Sequence, residues 1–463
     1  MEAVHIRVLP AEQGVEMKFT RPHTASGSPR LSVRRRLVLM TLALVLMTGL
    51  TTAPVAAHSR GDRGAAFSTL LAWQLIAIDT VYVDGRIVLP PVPDPAPPPG
   101  PVPVPVGTLF LGYTALAVND AVQRAGHHRH ASSAAALATA AHDVLAHFLP
   151  NTQAKLDDAL EATLADIPDS HAERHGVRVG HRAAADLIAS RADDGFGDPQ
   201  YVYALDGTKP GISKPVGPPP AGGMLAPWLG HVDPLVLRHH VGVDGPPALT
   251  SNEWVRDFHE VKEVGSLTTT GPNTAHHREI ADFFYVNTHV AMERALVEYL
   301  RTHPMRLERA ARMFAVMNAS MADAIRNIWR LKLEIGFWRP AEAIVRAGED
   351  GRDETVADPN WKPYRLTPPY SEYASGHAVV TGTFAETARM FLGNDVPLTL
   401  VSVPVAAPGV TPPDRKYTSL SKLEHDAYMA RIWAGIHFRD AMDDGYYIAH
   451  MSVHRVAHVL NGC

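Results

Sequence analysis

Over residues 305–335 the apolar side chains Leu307, Ala310, Phe314, Met317, Met321, Ala324 and Ile328 recur at spacings of three and four. That is the period at which side chains share one face of an α-helix. A helix of this length, roughly 45 Å, can bury such a stripe only against other long elements. Further patterns point the same way. Residues 133–149 place Leu137, Ala141, Val144, Leu145 and Phe148 on one face, with Ser133 as cap and Pro150 as stop. Helices are also expected over 153–167, ended by Pro168, over 376–392, ended by Gly393, and from the capping box Ser421–Glu424 through Arg431. No alternating run is long enough for a sheet and no repeat period is evident. The fold class expected is therefore all-α, built of packed helical bundles.

The 463 residues, 46% hydrophobic and 20% charged, are enough to bury a sizeable core. The single cysteine, Cys463, excludes an internal disulfide framework, a CxxC zinc site and a cysteine nucleophile within the chain. A formal net charge of -5 argues against wholesale nucleic-acid binding.

Arg34, Arg35 and Arg36 precede the apolar run 37–50, which is followed by Thr51, Thr52 and Val55-Ala56-Ala57. This order is that of a secretory signal cut after Ala57, the paired arginines also fitting a twin-arginine signal. An uncleaved membrane anchor is the alternative. The expectation is a secreted or extracytoplasmic protein with no stable membrane span after cleavage. Proline-rich stretches at 89–106 and 209–223 should run as extended loops. They suggest three parts: a signal peptide over 1–57, an N-terminal helical region with Pro-rich loops over 58–235, and a C-terminal catalytic helical bundle over 236–463.

Three segments of the C-terminal part carry chemistry: KLEIGFWRP from Lys332 to Pro340, SGH from Ser375 to His377, and RIWAGIH from Arg431 to His437. Lys332, Arg339 and Arg431 supply cations, and Ser375 and Gly376 open a helix whose first N–H groups lack helical partners. His377 and His437 complete what a tetrahedral oxyanion requires. Lys332 and Arg339, about two helical turns apart, can face one side, and Gly435 lets the helix break between Arg431 and His437. Taken singly, each cation reads equally well as surface charge and each histidine as packed core.

In order and spacing these segments resemble the vanadium-dependent haloperoxidases, which share an active site with the type 2 phosphatidic acid phosphatases. The flanks agree with the bacterial haloperoxidase branch at Trp338, at Ala357-Asp358-Pro359-Asn360-Trp361 and at Thr367-Pro368-Pro369-Tyr370. Weaker similarity runs upstream through Glu260-Val261-Lys262 and the alanine-rich helices near 133–190. The resemblance implies a vanadate cofactor bonded to His437, its charge met by Lys332, Arg339, Arg431, Ser375 and Gly376, with His377 as acid/base. Hydrogen peroxide and a halide would be the substrates, and an organic molecule a further acceptor of the product. A phosphatase would use the same layout with His437 as nucleophile and His377 protonating the leaving alcohol, and a non-catalytic relative would only bind phosphate.

Trp329, three residues before Lys332, resembles an aromatic that shapes the site in this family, with plain core packing as the other reading. Tyr370 stands where chloride-oxidising relatives tend to carry Phe and bromide-limited ones His, so bromide is expected over chloride. Ala374, Ala430 and Ala441 depart from the usual proline, serine and aspartate, and Asp440 sits one residue early, which leaves open what orients His437. Outside these segments, His450, His454 and His458 recur every four residues, a weak zinc pattern read here as a solvated helix face. His127, His128 and His130 read as a surface cluster.

Overall fold

The computed structural model describes residues 55–90, 98–127, 130–214, 223–285, 288–402 and 411–461. The expected signal segment up to residue 54, Cys463, His128, and parts of both proline-rich stretches lie outside the described residues. The described residues form one unit.

The first helices are α1 (Val55–Asp79), α2 (Val104–His127), α3 (Ser133–Phe148), α4 (Gln153–Ala165) and α5 (His171–Ser190). After a long irregular stretch come α6 (Asn252–Val264), α7 (Thr274–Phe283), α8 (Thr288–Thr302) and α9 (Leu307–Ile335). The chain ends with α10 (Pro340–Ala343), α11 (Gly376–Leu392), α12 (Leu420–Trp433) and α13 (Arg439–Leu460). The all-helical expectation holds, the strands among the described residues being two short ribbons. β1 (Arg86–Ile87) pairs antiparallel with β2 (Gly100–Pro101), and β3 (Leu398–Leu400) with β4 (Arg415–Tyr417). The proline-rich loop is shorter than expected. α2 begins at Val104 with Pro105 in its first turn, where a missing N–H costs nothing.

α9 is the central element, packed by α2 on one side and by α11 and α13 on the other. Its expected stripe is buried, and so are residues on its other faces, including Met313, Val316 and Ile325. A helix buried on several faces needs neighbours on several sides. Each large apolar side chain withdrawn from water contributes about 1.5–3 kcal/mol, which must offset the ordering of the backbone. One apolar core runs through residues on both sides of position 235. At 235 itself, Asp323 of α9 accepts the backbone N–H groups of Leu235, Val236 and Leu237 at 2.7, 2.9 and 2.8 Å. A buried carboxylate thus fastens the connecting segment to the central helix.

Two caps differ from expectation by a residue or two. Ser132, not Ser133, caps α3 by accepting from the Ala135 N–H. Ser419, not Ser421, caps α12 through the Lys422 N–H, while Ser421 donates to Asn394 Oδ1. In each case another serine stands in the extended conformation that a cap requires. Among the described residues, the stretch Gly64–Asp84 is long and apolar enough to cross a membrane; Phe67, Leu70, Trp73 and Ile78 within it are buried in the protein.

Candidate active site

The long helix α9 delivers Lys332 in its last turn, and Gly336 then turns the chain with φ of 63°. Lys332 and Arg339 therefore do not share a helix face, as their spacing suggested. Arg339 follows an extended stretch and precedes α10 as its N-cap residue. The two cations converge because each grips the segment before α11. Lys332 Nζ donates to the carbonyls of Ser371 and Glu372 at 2.9 and 2.7 Å, and Arg339 Nε donates to the Tyr370 carbonyl at 3.1 Å.

Ser375 is the N-cap of α11, and its hydroxyl accepts from the Ala378 N–H. Its own N–H donates to the Ala441 carbonyl at 2.9 Å, so it is not one of the free donors that the sequence suggested; its hydroxyl hydrogen remains available. Gly376 is the first residue of the helix, with Trp329 and Ile325 close to the side where a Cβ would stand. α12 ends at Trp433, and Gly435, with φ of 73°, makes the expected break. A Cβ at Gly435 would stand 2.2 Å from the Gly265 carbonyl oxygen, so the turn needs glycine for space as well as for conformation. Beyond it His437 enters the interior.

Lys332, Arg339, Ser375, Arg431 and His437 are each at most 1% exposed, while Gly376, His377 and Tyr370 keep partial exposure. Arg339 Nη1 lies 2.7 Å from the Ile436 carbonyl and 3.1 Å from His437 Nε2. Arg431 Nη1 donates to the Phe284 carbonyl at 3.0 Å. Yet Arg339 Nη2, Arg431 Nε and Arg431 Nη2 are buried with no protein partner. Buried guanidinium donors without acceptors are costly unless something negatively charged is meant to meet them.

The titration behaviour agrees. Burial first, then Arg339, holds Lys332 well below the usual lysine range, and burial lowers Arg431 to about 10. Burial, then Arg339, Lys332 and Arg431, keep His437 well below the ordinary imidazole value. Burial and Arg431 do the same to His377, against the opposing main-chain bond of Tyr285. Both imidazoles are therefore neutral at ordinary pH, and the cations are poorly compensated. A tetrahedral oxyanion such as vanadate fits this donor set: three cationic side chains, guanidinium N–H groups without a protein partner, and a neutral imidazole nitrogen able to act as ligand.

Trp329 is 1% exposed and donates to the Leu225 carbonyl at 3.0 Å, while its ring centroid stands 4.9 Å from that of Tyr370. Lys332 Nζ and the Arg339 guanidinium both lie 5.2 Å from the Tyr370 ring centroid. Trp329 is thus core on one side and site wall on the other. Tyr285, whose ring faces the Arg431 guanidinium at 6.0 Å, was missed by sequence reasoning. So was Glu372, which lies with Oε1 2.8 Å from His437 Nδ1 and 2.9 Å from the Phe438 N. Burial pushes this carboxyl up to about 7 against the pull of Arg339 and Lys332. Asp440, the displaced aspartate, does not contact His437; its N–H donates to Asp257 Oδ2. The only hint of Glu372 in the sequence is an acidic residue in the otherwise uncharged stretch 366–376.

The other histidine sets do not converge. His450 Nε2 lies 2.9 Å from Glu424 Oε1 and His454 Nε2 2.9 Å from Glu386 Oε1, while His458 is exposed. Arg389 binds both glutamates. This is an ion-pair seam joining α11, α12 and α13. Among the described residues no group of three or more metal-ligating side chains is assembled. His127 and His130 are exposed.

Residues 312–462 match the family model of the VCPO second helical-bundle domain. The chain is 31% identical over 96 residues to the vanadium chloroperoxidase of Curvularia inaequalis, a match covering 19% of this chain and 15% of that protein. The fold is similar to the crystal structure of the first bacterial vanadium-dependent iodoperoxidase, with a TM-score of 0.61, 18% identity, and coverage of 86% of this chain and 96% of that one. It is also similar to a holo-type bacterial vanadium-dependent chloroperoxidase, with a TM-score of 0.58, 15% identity, and coverage of 77% and 92%. The match to the VCPO second helical-bundle domain spans residues 312–462 and so contains Lys332, Arg339, Ser375, Gly376, His377, Arg431 and His437.

Proposed function

We propose that this protein is an exported, vanadate-dependent haloperoxidase that oxidises a halide, bromide in preference to chloride, with hydrogen peroxide to give hypohalous acid. The observation that carries the reading is the set of unpartnered, buried guanidinium N–H groups of Arg339 and Arg431 around a neutral His437. His437 Nε2 would hold vanadate, with Lys332, Arg339, Arg431, the Ser375 hydroxyl and the Gly376 N–H taking its oxygens. Bound vanadate would supply Lewis acidity, polarising peroxide without changing oxidation state.

The chain's own residues supply the rest. His377, held neutral by burial and by Arg431, accepts a peroxide proton on a ring nitrogen and returns it to the leaving oxygen. In the net reaction the halide gives two electrons to peroxide, the O–O bond breaks, a halogen–oxygen bond forms, the departing hydroxide is protonated to water, and the hypohalite takes one further proton from solvent to leave as hypohalous acid. Tyr370 and Trp329 wall the approach. The relatives in question are a chloroperoxidase and an iodoperoxidase. For this chain the bromide preference rests on Tyr370, whose ring lies 5.2 Å from Lys332 Nζ and from the Arg339 guanidinium and whose hydroxyl relatives with Phe lack. Export rests on the arginine-led apolar run before Ala57.

Bromide oxidation and phosphate-ester hydrolysis should be measured on one preparation, with and without vanadate. Peroxide-dependent bromide oxidation that needs vanadate and is suppressed by phosphate is the expected result. Rapid phosphate release with no bromide oxidation would replace this reading by a phosphatase; no activity of either kind would leave only anion binding.

A further inference from the structure

We infer that Glu372 is the positioning residue of this site: it fixes the tautomer of His437 so that Nε2 presents a lone pair to the bound oxyanion. The inference rests on the function proposed above and names the group that makes His437 a competent ligand.

Two independent contacts specify the same tautomer. Arg339 Nη1, 3.1 Å from His437 Nε2, can only donate, so Nε2 accepts, carries no hydrogen, and directs its one lone pair to Arg339 until an oxyanion displaces that donor. In a neutral imidazole the hydrogen then sits on Nδ1, and the atom facing Nδ1 at 2.8 Å is Glu372 Oε1. The Phe438 N–H converges on the same oxygen at 2.9 Å, which confirms Oε1 as an acceptor. An oxygen receiving two donors is fixed in direction. Hence the imidazole plane is fixed as well.

Glu372 is itself held from its main chain. Its N–H donates to the Phe337 carbonyl at 2.8 Å, and its carbonyl accepts from Lys332 Nζ at 2.7 Å. Ser371, its neighbour, donates its hydroxyl to the Lys332 carbonyl at 2.7 Å. One residue therefore ties the cation at the end of α9 to the histidine before α13. Glu372 is 0% exposed and its Oε2 has no protein partner, so no competing bond turns the carboxylate away from His437. A ligand histidine whose second nitrogen is held by a carboxylate has a set tautomer, a set orientation and raised basicity. In this chain the carboxylate comes from the loop before α11, 65 positions from the histidine.

The test uses full-length Glu372→Gln and Glu372→Ala. Three quantities are read: the ring 15N resonances of His437 in anion-free protein, assigned by their loss in His437→Ala, and the affinities for vanadate and for inorganic phosphate. Phosphate reads the cations alone, whereas vanadate also reads the Nε2 lone pair. Glutamine still presents an acceptor, so Glu372→Gln should keep the Nδ1–H tautomer and most of the vanadate affinity. Glu372→Ala should mix the tautomers and weaken vanadate binding by roughly 10–100-fold, while phosphate binding changes far less. If the alanine variant does not fold, Glu372→Met, similar in length without an oxygen, takes its place. An unchanged tautomer with wild-type vanadate affinity in the alanine or methionine variant would overturn the inference. So would equal loss of both anions in all variants, the mark of a structural role. Absence of bromide oxidation in the unmodified protein would sink the haloperoxidase reading, while the tautomer and the vanadate-to-phosphate ratio would still decide the role of Glu372.

Discussion

The bundle of α2, α3 and α5 and the layer formed by the ends of α9, α11 and α12 are both buried, but they are built on opposite principles. In the first, alanines 134–136, 138, 140 and 141 of α3 are buried, and a Cβ at Gly176 or Gly180 of α5 would stand 2.3 or 2.5 Å from a backbone oxygen of the Ser132–Ala136 stretch. Small residues bring backbones into contact, and most buried side chains there are apolar. In the second, Lys332, Arg339, Arg431, Glu372 and His437 are buried together, and several of their polar atoms have no protein partner. The apolar layer is held by its own packing, whereas the charged layer carries buried donors that the protein itself leaves unmet.

His437→Ala should have the largest effect, abolishing vanadate binding and bromide oxidation while circular dichroism shows an intact helical fold. Retained activity after vanadate addition would remove His437 from the site. Arg431→Met should weaken binding of vanadate and phosphate by about 2–5 kcal/mol, as for one partner removed from a buried charge pair. In anion-free protein the same variant should melt no lower than the unmodified chain, because it removes a buried charge with two unmatched donors. A marked loss of anion-free stability would show that Arg431 is structural. In the apolar layer the pattern reverses. Gly180→Val should lower stability by about 1–3 kcal/mol through overpacking against Ala136 and Thr139, leaving vanadate affinity unchanged by titration.

The smallest effect is expected at the seam between α11 and α13. The bond to Glu386 raises His454 above its ordinary value; burial opposes, but His454, His450 and Arg389 together bring Glu386 down to about 2. A raised imidazole contributes stability that is full below its unfolded value, about 6.5, and is lost as pH rises through the folded one. A depressed carboxylate contributes above its unfolded value, about 4.3, and loses that contribution as pH falls toward the folded one. Glu386→Gln should therefore cost more near pH 5.5 than near pH 8.5, by at most about 1 kcal/mol given the exposure of His454. Thermal melts at the two pH values measure this. Equal loss at both would leave only Arg389 as the partner that matters.

Sequence alone determined the elements whose causes are local. The period over α9, the stop at Gly393 and the break at Gly435 depend on residues within a few positions of each other, and these features stand where the pattern placed them, while two caps moved by one or two residues. The motif residues were also legible, since their types and order survive without knowledge of how helices cross. Only the tertiary structure decided how those residues meet. The turn at Gly336 parts Lys332 from Arg339, which meet again by gripping neighbouring carbonyls of the 370–372 segment. Arg431 takes the Phe284 carbonyl from the end of α7, and His450 and His454 find different glutamates instead of one metal. Glu372 bears on His437 across 65 positions. The physical reason is range: periodicity and capping act over one or two turns, whereas a buried hydrogen bond between distant residues exists only once the crossing of helices has brought its donor and acceptor within about 3 Å.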